Sequence, residues 1–312
     1  MNKTWVKIRD LILVIPCAII NNQLMRAIVV GAGTVGTATG TGLSLQGHDV
    51  EYVDVSEERV KELRGWGHKA TTPDGMNLDC DAVFVSVNTP PGPFGIDATN
   101  LLSAAKSIGV KLRDVDGGFP LIIFRSTQPP GTTRNSLIPM LQRISGKKVN
   151  TDFGVAYWPE YLRAESAQRD FLESRVIVIS TPGQDDRSHQ FSARVTMGMP
   201  AEVHWLPLEA AELQKYFNNV GNAVKISTYN WFRRLAAQIG IREEDVEHIF
   251  ELCALSAEGL WNPKYGLRNY GPYGGACLPK DTAALIAFAE TAGMDATLLK
   301  AAEKVNQETS GQ

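Results

Sequence analysis

A chain of 312 residues, 44% of them apolar and 21% charged, is long enough for about two domains around a large core. Its formal net charge of −3 provides no electrostatic footprint for nucleic acid or an anionic membrane. Cys17, Cys80, Cys253 and Cys277 stand without C-x-x-C spacing, which argues against a disulfide framework or a zinc site and suits a reducing, cytoplasmic compartment.

Lys3, Lys7 and Arg9 precede an apolar run from Leu11 to Ile20 that superficially looks like a signal peptide. The run is too short to span a bilayer, is broken by Pro16, and has no small-x-small cleavage site after it. Residues 1–24 are therefore read as an extension, with the fold starting near Met25. Arg26 to Val30 is a buried-strand pattern that runs into Gly31-Ala32-Gly33-Thr34-Val35-Gly36. A helical stretch follows, then a second strand, Val50 to Val53, ending at Asp54. This is G-x-G-x-x-G in its confirming context of strand, helix and a terminal acid. The glycines permit a tight turn, a close approach to pyrophosphate, and helix–strand packing. Asp54 is expected to accept hydrogen bonds from ribose hydroxyls and to repel a 2′-phosphate. NAD is therefore expected over NADP, held by Gly31, Gly33, Thr34, Val35, Gly36 and Asp54.

Strand and helix continue to alternate. Strands are expected at Ala82 to Val87, Leu121 to Phe124, Phe153 to Tyr157, Arg175 to Ser180 and Glu202 to Trp205. Such alternation argues for a parallel, doubly wound sheet, whose ligands bind at the carboxyl ends of the strands. Thr89, Thr127 and Glu160 fall there, although each residue type serves equally well in a turn or cap. After Pro207 the spacing becomes helical from about Leu208 to Ile239, long for a globular helix, with Lys215 and Asn219 one turn apart. A lysine in such a helix is usually solvated. Tyr273-Gly274-Gly275-Ala276-Cys277-Leu278-Pro279-Lys280-Asp281 then opens another helix. Pro279 suits a first helical turn, so Cys277 is expected at a helix N-terminus, where free N–H groups favour a thiolate. The alternative is a packed cysteine acting as a small hydrophobe.

Taken together, these motifs resemble the UDP-glucose/GDP-mannose dehydrogenase family. The resemblance runs from about Met25 to Asn306. It rests on the glycine loop, Asp54, Ser126-Thr127-Gln128-Pro129-Pro130-Gly131-Thr132, Pro159-Glu160-Tyr161-Leu162-Arg163, Ala211-Glu212-Leu213-Gln214-Lys215, Asn219 and the Cys277 motif, the most specific of them. It implies an α/β fold. A Rossmann-like doubly wound parallel sheet over residues 25–206 binds NAD, and an all-helical central, dimerising domain over residues 207–312 follows. It also implies four-electron oxidation of a nucleotide-sugar C6 alcohol to a carboxylate. Cys277 would hold a thiohemiacetal and then a thioester, Lys215 and Asn219 would stabilise the oxyanion, and Thr127 and Asp281 would activate water. Glu160 would assist hydrolysis, and Thr89 and Thr127 would join the cofactor site. Tyr161, Leu162, Arg163, Lys215, Asn219, Tyr273 and Gly274 would contact the sugar nucleotide. No metal is expected, and a homodimer through the long helix is.

Three departures stand out. The family's acid after Arg163 is here Ala164, with Glu165 next; its Asn-Glu pair reads Asn230-Trp231; and its Arg-Ile-Gly element has no counterpart around Leu260-Trp261-Asn262. The family also continues into a third, nucleotide-holding domain beyond the point where this chain stops. Two other readings stay open: a non-catalytic NAD-binding or dimerising module, and a two-domain hydroxyacid dehydrogenase that needs no thiol.

Overall fold

The computed structural model describes residues 24–92, 95–183, 186–197, 199–266 and 271–310. The proposed extension, apart from Leu24, lies outside the described residues. The chain divides into two compact units, one ending at Phe217 and the other beginning at Asn218.

The first unit alternates as the sequence leads one to expect. In chain order it contains β1 (Arg26–Val30), α1 (Thr34–Leu45), β2 (Asp49–Val53), α2 (Glu57–Gly65), β3 (Lys69–Thr71), β4 (Ala82–Val85), the short pair β5 (Pro91–Gly92) and β6 (Gly95–Ile96), and α3 (Thr99–Leu112). Then come β7 (Leu121–Phe124), α4 (Ile138–Ser145), β8 (Gly154–Tyr157), α5 (Ala167–Leu172), β9 (Ile177–Ile179), α6 (Asp186–Thr196), β10 (Val203–Trp205) and the start of α7 (Leu208–Gln238). Six strands form one sheet in the order β3-β2-β1-β4-β7-β8, and each neighbouring pair is parallel. That order is doubly wound, with the crevice between β1 and β4 at the carboxyl edge.

Strands buried on both faces must be apolar throughout, and β4, β7 and β8 are buried at every position. Ile28, Val83, Ile122 and Val155 pack on one side with Leu101 and Ile108 of α3 and Leu141 of α4. Val29, Phe84, Ile123 and Ala156 pack on the other with Leu43 of α1 and Phe171 of α5. Small residues set the spacing: a Cβ on Gly40 would lie 2.5 Å from the Tyr52 ring, and one on Gly42 2.1 Å from Phe171.

One expectation is corrected. β9 and β10 do not extend the main sheet but pair with each other as a separate parallel ribbon. Their link to β8 is a single antiparallel bridge, Tyr157 to Ser180. A strand that crosses β8 in the opposite sense cannot continue a parallel ladder.

The second unit is helical. Beyond Phe217 it holds the rest of α7, α8 (Glu243–Ser256), α9 (Glu258–Trp261), α10 (Leu278–Thr291) and α11 (Thr297–Ser310). Its core is small: Trp231, Leu235, Ile286, Ala289, Met294 and Ala296. The Trp231 indole N–H donates to Asp295 O at 2.8 Å and ties α7 to the turn before α11. No helix among the described residues is long and apolar enough to cross a membrane.

Candidate active site

The glycine loop opens the first unit's candidate site. Gly31 adopts φ +88°, and a Cβ there would lie 2.9 Å from Ser86 O, so both conformation and space require glycine. A Cβ on Gly36 would lie 1.8 Å from Gly31 O, so Gly36 lets α1 close on the loop. Gly33 is the N-cap of α1 and has no side-chain cap, and a Cβ on it would meet nothing within 4 Å. The first N–H groups of α1 are thus free of a side-chain cap, an arrangement that fits the pyrophosphate of a dinucleotide. Thr34 and Val35 form the first turn of that helix. Asp54 is fixed beside the loop, accepting from Ala32 N at 2.8 Å and Ser56 N at 2.9 Å.

Sequence reasoning missed Arg59. Its Nε donates to Ala32 O and its Nη2 to Thr37 Oγ1, both at 2.9 Å, which puts a cation at the edge of the anion cradle. In the sequence it is one charge in the charged helix Glu57–Gly65; only the fold returns it to the loop.

The loops after β4 and β7 are pinned together. Thr89 Oγ1 donates to Thr127 O at 2.8 Å, and Ser126 Oγ donates to Val87 O at 2.6 Å. The β7 loop is also anchored from α7 by Glu212, which is completely buried. Its Oε1 accepts from Gln128 Nε2 at 2.9 Å, Thr133 N at 2.9 Å and Thr133 Oγ1 at 2.7 Å, and its Oε2 accepts from Gly131 N at 2.5 Å. Four donors balance the desolvation of that carboxylate.

One turn further along α7, Lys215 is only 3% exposed, so it is not the solvated lysine usual for its residue type. Its Nζ donates to Glu160 O and pairs with Glu160 Oε1 at 3.1 Å. The same ammonium lies 5.4 Å from the centre of the Tyr161 ring, whose hydroxyl donates to Gln214 Oε1. Glu160 Oε2 accepts from Leu162 N at 2.7 Å, so the carboxylate is held at both oxygens. Leu162 packs on the core with Trp158 and Phe171. Arg163 is instead committed to Asp170, through Nη2 at 2.7 Å and Nε at 3.0 Å, with a side chain 70% exposed. The first unit thus brings Glu160, Tyr161 and Lys215 together.

In the second unit Asn219 is exposed one turn beyond Lys215, its Oδ1 accepting from Asn218 Nδ2 at 3.1 Å. Tyr273 is pinned to α11 by two bonds with Asn306, at 2.6 and 3.0 Å. Gly274 and Gly275 leave the approach to Cys277 without side chains, and Gly275 takes φ +78°. Cys277 is the N-cap of α10 with Pro279 in the first turn, as the sequence requires. Its carbonyl accepts from Asp281 N at 2.8 Å, and Asp281 pairs with Lys280 at 2.8 Å. Cys277 is exposed, whereas burial pushes the Cys80 thiol up to about 12. Among the described residues, no cluster of His, Cys, Asp or Glu is arranged to hold a metal.

Comparison with known proteins gives a consistent result. The model of the UDP-glucose/GDP-mannose dehydrogenase family, NAD binding domain, matches residues 68–195, and that of the central domain matches residues 209–308. A UDP-glucose 6-dehydrogenase of Haloferax volcanii is 32% identical over 308 residues, covering 90% of this chain and 69% of its own length. A GDP-mannose 6-dehydrogenase of Pseudomonas putida is 30% identical, covering 91% of this chain and 68% of its own. In the solved ternary complex of a GDP-mannose dehydrogenase from Pseudomonas aeruginosa, the superposition has a TM-score of 0.83 at 27% identity, over 91% of this chain and 69% of that one.

Proposed function

Because this chain belongs to the UDP-glucose/GDP-mannose dehydrogenase family and uses NAD, we propose that it oxidises the C6 alcohol of a nucleotide sugar to a carboxylate in two steps. The observation that carries this reading is Lys215. A lysine ammonium buried to 3% and held against Glu160 has no packing rationale, since lysines stay in water unless paired for a purpose. Such a cation stabilises negative charge developing on a substrate oxygen in a site that excludes water.

NAD, when bound, takes up the hydride released in each of the two oxidations. In the first, the C6 hydroxyl proton departs and Lys215 stabilises the oxygen left behind, with Asn219 as a second donor. The Cys277 sulfur then adds to the aldehyde carbon; the S–C bond forms, the C=O π bond breaks, and the oxygen takes a proton. The thiohemiacetal now carries a C–H bond that can give up the second hydride, leaving a thioester. Water attacks that carbonyl, guided by Thr127 and Asp281 and assisted by Glu160; the C–S bond breaks and the thiolate is regenerated. One alcohol and one water thus yield one carboxylate, two reduced cofactors and three protons. Gly31, Gly33, Thr34, Val35, Gly36, Asp54, Thr89 and Thr127 hold the cofactor, and Tyr161, Leu162, Arg163, Tyr273 and Gly274 the substrate. The helical part of α7 supports a homodimer, and the setting is the cytoplasm.

The test is product analysis on a panel of UDP- and GDP-sugars, with reduced cofactor counted per sugar. Two per sugar together with the uronic acid is expected, and Cys277→Ala is expected to abolish acid formation. NAD binding without turnover of any nucleotide sugar would refute the reaction; undiminished acid from Cys277→Ala would refute the covalent route.

A further inference from the structure

The loop after β8 and helix α7 meet at two consecutive residues on each side. Glu160 takes the Lys215 ammonium through its backbone oxygen and, at 3.1 Å, through Oε1. Beside this pair, the Tyr161 hydroxyl donates to Gln214 Oε1. Consecutive helical positions point about 100° apart, so Gln214 and Lys215 grip the loop from two directions. The ion pair alone would let the loop turn about the ammonium, and a second link one residue on removes that freedom. Burial pushes the Tyr161 hydroxyl up to about 12, which keeps it protonated, and a donor, at neutral pH.

The ring of Tyr161 makes a third contact. Its centre lies 5.4 Å from Lys215 Nζ, within reach of a cation–π attraction. That attraction is stronger where the cation is out of water, and Lys215 is 3% exposed. An ammonium carries three N–H donors, and two of them go to Glu160. Among the described residues the third meets no protein acceptor. A lysine head on its flexible stem has no direction of its own, and Glu160 and the Tyr161 face together give it one.

We propose that Tyr161 is a positioning residue for Lys215: ring and hydroxyl together hold the ammonium so that its uncommitted N–H keeps the one direction in which it meets the substrate oxygen. With the hydroxyl committed to Gln214, this role is additional to any contact that Tyr161 makes with the substrate. Its catalytic consequence rests on the oxidation proposed above; the clasp between the β8 loop and α7 does not. Misplacing a stabilising group by about 1 Å can cost about 10²-fold in rate, so a loosened clasp is read in kcat. Tyr161 itself makes and breaks no bond in the reaction.

Two double-mutant cycles on the full chain with NAD test it. In the first, Tyr161→Phe keeps the ring and removes the hydroxyl, Gln214→Leu removes its acceptor, and melting temperature is the readout. Each single change is expected to lower it by roughly 2 °C or more, and the pair no further than the larger single loss. Additive losses would overturn the clasp. In the second, Tyr161→Leu is combined with Lys215→Ala and kcat is the readout. Tyr161→Leu is expected to lower kcat by about tenfold or more with KM for sugar and cofactor unchanged. Tyr161→Phe, which keeps the ring, should lie between it and wild type, and it completes the cycle if Tyr161→Leu does not fold. In the Lys215→Ala background the same change should cost nothing further, because no ammonium is left to hold. A rise in KM at constant kcat would make Tyr161 a substrate contact alone, and a lower melting temperature at constant kcat would make it a packing residue. Either result overturns the proposal. Native-state acetylation of Lys215, read by mass spectrometry against the exposed Lys225, needs no turnover. Tyr161→Leu is expected to raise that ratio severalfold, and an unchanged ratio would also overturn the proposal. A raised ratio with no turnover of any nucleotide sugar by wild type would uphold the positioning and refute the reaction instead.

Discussion

Single side chains here carry charge in places where charge is expensive, and each such placement has a measurable consequence. Lys215→Ala removes the buried ammonium that pairs with Glu160. Both oxidation steps are expected to slow, by about 10²–10³-fold, as for loss of an oxyanion donor. Steady-state kinetics with separate quantification of aldehyde and acid checks this, and an unchanged rate would return Lys215 to a structural role. His48 gives a prediction independent of catalysis. Its Nδ1 accepts from Met25 N at 3.2 Å, so the folded state needs it neutral there. Burial first, and Arg194 second, lower its pKa from 6.5, against a smaller opposing effect of Asp81. The unfolded chain therefore binds the proton more tightly. The stability from this group is present above the ordinary imidazole pKa and is lost as pH falls through and below it. Wild type is expected to lose melting temperature more steeply than His48→Gln between about pH 7 and pH 5. Parallel curves would show that His48 does not contribute.

At the scale of elements, α7 organises the first unit's site because two of its side chains, three residues apart on one face, hold two different loops. Glu212 fixes the loop after β7 and Lys215 the loop after β8. Glu212→Ala would strand Gly131 N, Thr133 N and the Thr133 hydroxyl in a dry site and leave Gln128 Nε2 only its bond to Thr133 Oγ1. The expected cost is at least about 3 kcal/mol, seen as a lower denaturation midpoint. Weaker NAD binding through Thr127 should accompany it, and a variant as stable as wild type would show that water replaces the carboxylate. The elements also show which features the sequence makes legible. The glycine loop and the capping position of Cys277 can be read because local spacing alone determines them: strand, tight turn and helix in one case, glycines and a first-turn proline in the other. The burial of Lys215 cannot be read, because it depends on Glu160, 55 residues away, and that of Arg125 depends likewise on Trp158 and Phe171, which only the tertiary fold supplies. The same limit explains β9 and β10. Their apolar runs identify them as strands, but which sheet a short strand joins is decided by hydrogen-bond partners that the run does not encode.

At the scale of the whole molecule, the apolar surface is distributed very unevenly along the chain. The first unit buries β4, β7, β8 and β9 at every position, whereas α7 keeps Leu213, Phe217, Val220, Val224 and Ile226 more than half exposed, from 52% to 72%. In the second unit Leu252, Leu255 and Trp261 are also more than half exposed, at 51%, 78% and 56%. Among the described residues, the core cluster of that unit joins only six buried apolar residues, too few for a helical unit of its length to be expected to stand alone in water. Isolated exposed leucines are ordinary, but a run of large apolar side chains along one 31-residue helix is the kind of surface that a second copy covers. A homodimer built on α7 is therefore expected, burying more apolar than polar area, as obligate interfaces do. Sedimentation equilibrium of the full chain with NAD at micromolar concentration should give twice the mass of 34.1 kDa. The double substitution Val220→Asp and Val224→Asp places charges on the exposed side of α7 without touching Lys215 or Glu212. It should shift the population to monomer and lower the melting temperature of the helical unit, since charge buried at an interface without a partner is strongly unfavourable. A wild type that sediments as a monomer, or a dimer indifferent to both aspartates, would exclude α7 as the interface.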